Sequence, residues 1–194
     1  MGKAMDWWQD FLHLNNSPSQ QDVHGAHARW SCPPSDRLKI NVDGAWDKEN
    51  CERSVGIIIK NDKGAFVGTA TRVIMDVFSP IQVEALAMRV CLELVVERGL
   101  SKINIESDAL QIISTAKESS VNVSPMGPII KGIKFLLAMV AEASVAHVRR
   151  QANSVAHRLA RFALHDGGNC TWFDESPVII NDLLMEDISL PCTK

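Results

Sequence analysis

The hydrophobic pattern of this chain changes period once, at Ser79-Pro80, and that change restricts the fold more than any other feature. Before it, residues 38–43 alternate apolar and polar side chains as a half-buried strand does. Val55-Gly56-Ile57-Ile58-Ile59 is a β-branched run, and 65–75 reads as a third strand behind the turn signal Asn61-Asp62-Lys63-Gly64. Three strands with a tight connection between the last two predict an antiparallel meander. After the change, Val83, Leu86, Ala87, Val90, Leu94 and Val95 recur at helical spacing over 82–98, and Gly99 stops the helix. Residues 102–106 form a short strand, Ser107 caps a helix over 108–119, and a third helix spans 129–142. Residues 143–150 are the last strand, and Asn153 opens a final helix to 165, ended by Gly167-Gly168. The order βββαβα(α)βα predicts an α/β domain over 37–168, a mixed sheet with helices packed on it.

The flanks differ from this domain. Residues 1–36 are rich in Asn, Gln, Ser and His and sustain no period, which predicts a flexible N-terminal extension with one short helix near 5–14. Residues 169–194 read as an acidic C-terminal tail. With 46% apolar and 22% charged residues the chain is not wholly disordered, and a net charge of −3 excludes a uniformly basic nucleic-acid binder. That small total is unevenly divided, because 122–165 carries +5 and 166–194 carries −5. Five scattered cysteines without a CxxC pair predict reduced thiols rather than a disulfide framework or a zinc site. The N-terminal residues lack the apolar core of a secretory signal, and no apolar run approaches the ~20 residues needed to cross a bilayer. The expectation is an intracellular monomer, in nucleus or cytoplasm, with no membrane partner.

Three acids fall where strands and helices meet. Asp43 ends the first strand before Gly44, Asp108 follows the fourth strand, and Glu84 sits in the first turn of the long helix. Singly, an Asp-Gly pair is also a turn, and Asp108 and Glu84 are also ordinary acids at helix starts, favoured by the dipole. Adjacent first and fourth strands, however, would set Asp43 and Asp108 side by side. Carboxylates so crowded repel unless a divalent cation holds them together. Oxygen ligands favour Mg²⁺ or Mn²⁺ over zinc, and paired Mg²⁺ ions about 3.5–4 Å apart can activate water on a phosphodiester.

Five segments then stand in order. They are Lys39-Ile40-Asn41-Val42-Asp43-Gly44-Ala45 behind Trp30 and Pro33-Pro34, Val83-Glu84-Ala85-Leu86-Ala87, Ile105-Glu106-Ser107-Asp108-Ala109, His147-Val148-Arg149-Arg150-Gln151-Ala152-Asn153 and Val155-Ala156-His157-Arg158-Leu159-Ala160. Together they resemble the plant ribonuclease H-like domains of the reverse-transcriptase-like group, often derived from non-LTR retroelements, over about residues 30–187. The resemblance implies a ribonuclease H-like fold, a five-stranded mixed sheet of order 3-2-1-4-5, and Mg²⁺-dependent endonucleolytic cleavage of the RNA strand of RNA–DNA hybrids. It implies two Mg²⁺ ions, replaceable by Mn²⁺, with Asp43 bridging both and Glu84 and Asp108 ligating one each. The family's fourth acid belongs to an Ala-Asp-x-Leu-Ala segment, and here that position is His157. An imidazole ligates as a neutral group, so the site loses one negative charge. His157 is then a nitrogen ligand, a proton shuttle, or a drifted position in an inactive copy. The alternative to catalysis is a weakened or dead nucleic-acid-binding module.

The substrate side is the basic stretch. Arg149, Arg150 and Asn153, at a strand end and a helix start, are candidate phosphate contacts, and Trp46 beside Asp43 is a candidate stacking residue. Arg158 and Arg161 read equally as the solvated face of the last helix, and His147 as a packing residue or an acid–base group. Such a surface would bind RNA–DNA hybrid by shape and with strong salt dependence.

Overall fold

In the computed structural model, residues 29–50, 52–118 and 124–188 are described, and the expected helix near 5–14 lies outside them. β1 (Leu38–Asp47), β2 (Glu52–Lys60) and β3 (Phe66–Val73) form the meander. They are followed by α1 (Pro80–Glu97), β4 (Ile103–Ser107), α2 (Leu110–Lys117), α3 (Gly127–Met139) and β5 (Ser144–His147), then α4 (Ser154–Phe162), β6 (Cys170–Trp172) and α5 (Asn181–Ile188). The sheet order is β5-β4-β1-β2-β3-β6. β4 lies parallel to β1, β5 lies parallel to β4, and the other pairs are antiparallel. The expected order 3-2-1-4-5 is present, with a sixth strand added beyond β3.

Two expected boundaries move. Cys170–Trp172 pairs with β3 from Thr69 to Thr71 and so belongs to the sheet, although a strand of three residues carries no readable period. At the other end Trp30 is buried, and its indole N–H donates to Asn41 Oδ1 at 3.0 Å. The domain therefore runs past 37 and 168 in both directions. Cys91 and Cys170 are reduced thiols, as expected, whereas Cys32 is disulfide-bonded. Spacing along the chain does not exclude a pair that the fold brings together.

The sheet is covered on both faces, which explains why Val55–Ile59 is continuously apolar rather than alternating. Ile57 and Ile59 join Met88, Leu92 and Val95 of α1 and Ile130 and Ile133 of α3 in one core cluster. Ile58 points the other way and packs with Val155, Ala156 and Leu159 of α4 and Leu184 of α5. The second face carries a polar layer too. Lys39 pairs with Glu106 at 2.6 Å, Asn41 Nδ2 donates to Glu106 Oε2 at 3.2 Å, and buried Lys60 is paired with Asp187 of α5.

Change of direction at residue 79 is enforced locally. Ser79 takes an extended conformation, its hydroxyl accepts from the Gln82 N–H, and Pro80 fills the first helical position, where its missing N–H costs nothing. α2 begins at Leu110 rather than at Asp108, because Ser107 Oγ accepts from the Ala109 N–H and holds Asp108 in the connecting turn.

α4 presses on β2 at Gly56. A Cβ there would stand 2.3 Å from the Ala156 carbonyl oxygen and 2.4 Å from the Ala160 backbone nitrogen. Ser54 Oγ also donates to the Ala160 carbonyl at 2.5 Å. Gly56→Ala must therefore push a helix backbone away, and the expected cost is about 3 kcal/mol. Differential scanning calorimetry should show the melting temperature lowered by roughly 6–12 °C.

Candidate active site

Asp43 does not end a strand. β1 continues through Gly44 to Asp47, and Asp43 pairs with Gly56 within the ladder, so the Asp-Gly pair is not a turn. Glycine is required at 44 for close approach: a Cβ would lie 2.8 Å from Val83 Cγ1 and 3.1 Å from the Val83 carbonyl carbon. The bare backbone lets the first turn of α1 lie against β1, and the Gly44 N–H donates to the Glu84 carboxylate. Asp108 stands just past the end of β4. Asn41 pairs in parallel with Glu106, and the same offset carries Asp43 to the level of Asp108.

Burial pushes Glu84 up to about 9, and the charges of Asp43 and Asp108 add to the rise. Burial also raises Asp43; the hydrogen bond from His157 opposes this, and the Asp108 charge adds to it. Glu84 Oε2 is buried with no hydrogen-bond partner, as is Asn153 Oδ1. A buried, unsatisfied carboxylate oxygen beside two further acids is costly in isolation. The donor set is wholly oxygen and fits a hard divalent cation such as Mg²⁺, with Asp43, Glu84 and Asp108 as its holders. Among the described residues no group of three His, Cys, Asp or Glu side chains is already gathered to hold a metal ion.

Asn153 is 1% exposed, at the junction leading into α4. Its Nδ2 donates to the Val42 carbonyl at 3.1 Å and to Asp108 Oδ1 at 3.0 Å. Facing the sheet, its side-chain amide orients Asp108 from within the domain. His157 joins Asp43 through Nδ1, 2.7 Å from Oδ2, and its Nε2 lies 2.8 Å from an Arg150 guanidinium nitrogen. Arg149 and Arg150 are exposed at the end of β5, as a phosphate contact requires. Trp46 is half-buried, and the Arg53 guanidinium already stands over its ring at 4.7 Å. Beside His157 opens a cleft of about 600 Å³, lined by Arg150, Arg158, Arg161 and His165 together with Phe162 and Leu183. Arg158 is tied to Asp182, at 2.5 and 2.6 Å from its two oxygens. No helix among the described residues is long and apolar enough to cross a membrane.

A family model described as reverse transcriptase-like matches residues 41–163, a span that includes all four site positions from Asp43 to His157. The chain belongs to the reverse transcriptase-like family. Solved structures similar to this member include ribonuclease H1 from the halophilic archaeon Halobacterium salinarum NRC-1, 24% identical, with a TM-score of 0.61 over 67% of this chain and 98% of that one. LC11 ribonuclease H1 in complex with RNA/DNA hybrid is 16% identical, with a TM-score of 0.58 over 66% of this chain and 96% of that one. A foamy viral protease-reverse transcriptase in complex with RNA/DNA hybrid is 13% identical, with a TM-score of 0.55 over 85% of this chain and 26% of that one. No curated protein matches. At these identities the likeness establishes a ribonuclease H-like fold for this reverse transcriptase-like domain. Gly44, Gly56 and Arg150 were the residues whose role in shaping the site was least visible in sequence. Only the Asp43-Gly44 and Val55-Gly56-Ile57 pairings, a small residue inside a strand pattern, hint at close approach.

Proposed function

We propose that this reverse transcriptase-like domain binds RNA–DNA hybrid and hydrolyses its RNA strand endonucleolytically with Mg²⁺, or Mn²⁺ in its place, at Asp43, Glu84 and Asp108. One observation carries this reading. Carboxylates from β1, α1 and the end of β4 influence one another at a single spot, where Glu84 Oε2 is buried and unsatisfied. A purely structural site gains nothing from such crowding. The likeness to a ribonuclease H1 solved with RNA/DNA hybrid supports the choice of substrate.

A divalent cation at these acids supplies Lewis-acid charge against a scissile phosphodiester. The chain's own residues set the stage for it. The Gly44 N–H orients Glu84, Asn153 orients Asp108, and His157 orients Asp43, so the acids are fixed before substrate arrives. Arg149, Arg150 and Arg161 offer charge to the phosphates of an approaching strand. The test is the full chain incubated with a strand-labelled hybrid in Mg²⁺, in Mn²⁺ and in chelator. Internal cuts in the RNA strand with either metal, and none in chelator, are the expected result; intact RNA throughout overturns it.

Arg161 lines the cleft outside the acid cluster. Arg161→Ala should weaken hybrid binding and reduce the slope of log affinity against log salt by about 0.9, the signature of one lost phosphate contact. Filter binding across a salt series measures this, and an unchanged slope would place the hybrid elsewhere. A second reading, a nucleic-acid-binding module without hydrolysis, is favoured by the His at the fourth acid position with both ring nitrogens engaged. Hybrid shifted on a native gel but never cut would support that reading.

A further inference from the structure

His157 stands between an anion and a cation, and hydrogen-bond roles fix its state. A guanidinium only donates, so His157 Nε2, 2.8 Å from the Arg150 nitrogen, must accept. The same guanidinium nitrogen is farther from Nδ1, at 3.4 Å. The ring proton is then on Nδ1, which donates to Asp43 Oδ2 at 2.7 Å. Neither nitrogen has a lone pair left for a metal ion. The ring is also held in place, because α4 is seated on β2 at Gly56 and through Ser54.

We propose that this site takes one divalent cation, on Asp43, Glu84 and Asp108, and that Arg150, acting through His157, supplies as fixed charge what a second cation would bring. The proposal rests on the cation site proposed above and sets its count at one, where the family resemblance implies two. A second cation would need a ligand on the α4 side of Asp43, where both ring nitrogens of His157 are engaged and a guanidinium already stands. His157 and Arg150 are thus positioning residues, which set the shape and charge of the Asp43 side of the site without touching the cation.

Stoichiometry decides the matter without any substrate. The full chain, stripped of metal, is titrated with Mn²⁺ alone and with Mg²⁺ alone by calorimetry, with Mn²⁺ followed also by electron paramagnetic resonance. One ion per chain is expected for the unsubstituted protein and for His157→Ala, and two for His157→Asp. Two ions in the unsubstituted protein overturn the single-cation proposal while leaving the hybrid-nuclease reading intact. Loss of the ion in His157→Ala makes the imidazole a ligand and also overturns it, as does a single ion in His157→Asp. No binding in any variant sinks the cation site itself. Nitrogen-15 spectra give a readout independent of metal: the Nδ1–H tautomer should dominate in the unsubstituted chain with and without Mg²⁺, and Arg150→Ala should shift the ring toward a mixture. A ring whose nitrogen shifts ignore Arg150→Ala contradicts the relay.

Discussion

The Asp43→Asn protein should leave the RNA strand of a hybrid intact under conditions in which the unsubstituted chain cuts it, a loss of more than ~100-fold. Replacing a residue that merely orients a metal ligand already costs about 10–100-fold in affinity or activity, and Asp43 is proposed to touch the cation directly. Asparagine keeps the side-chain shape and can still accept from His157 through its amide oxygen, so the strand pairing with Gly56 and the seat of α4 remain. It removes charge from the group that adjoins both other acids. Two measurements separate chemistry from folding. Cleavage of labelled hybrid in Mg²⁺ and Mn²⁺ should collapse, while circular dichroism and the melting temperature in chelator should not fall. Cleavage that survives this substitution would come from somewhere other than this site.

The second large effect concerns stability without metal. Glu84 holds its proton up to about 9 in the folded chain, against an ordinary value of 4.5. Between those two values the folded state binds one proton more than the unfolded state, so stability falls as pH rises through that window. Asp43, also raised by burial, acts in the same direction. The gradient is at most ~1.4 kcal/mol per pH unit for one group, and water reaching the site reduces the total. Glu84→Gln removes the titration and keeps the shape. In chelator at pH 8 it should be more stable than the unsubstituted chain by about 2 kcal/mol, or roughly 4–8 °C in melting temperature. Saturating Mg²⁺ should close most of that gap, because a cation displaces the proton and stabilises only the folded form. Thermal melts from pH 5 to 9, with and without Mg²⁺, test this directly; equal and pH-independent melts for both proteins would mean that Glu84 is not buried against its neighbours.

Much of the site could be read from residue order alone. Period two followed by period 3.6 places Asp43, Glu84 and Asp108 at junctions between elements, and the strand pairing then brings them together. What could not be read was the detail of approach. Asp43-Gly44 looks like a strand end, yet the glycine continues the strand and is there to admit α1. Asn153 looks like a phosphate contact at a helix start, and its burial depends on Val42 and Asp108, both far away in sequence. Arg150 reads as a phosphate contact, and nothing in the residue order shows that it also stands against the imidazole seven residues on. Periodicity reports which face a residue occupies, not which side chain waits across from it.

The recognisable family segment ends at residue 163, but the Lys60–Asp187 pair lies across that limit. Burial holds Lys60 below the usual lysine range while the Asp187 charge opposes the shift, so each depends on the other being present. A fragment excised at 41–163 would lose β6, strip Leu184 from the cluster around Ile58, and take away both Asp187 and the Trp30 ring that face the Lys60 ammonium. Asp182 and Asp187 of the acidic stretch are thus spent on cations of the domain itself, Arg158 and Lys60. What is inherited as a family signature and what must be synthesised to obtain a folded unit are different lengths of this chain.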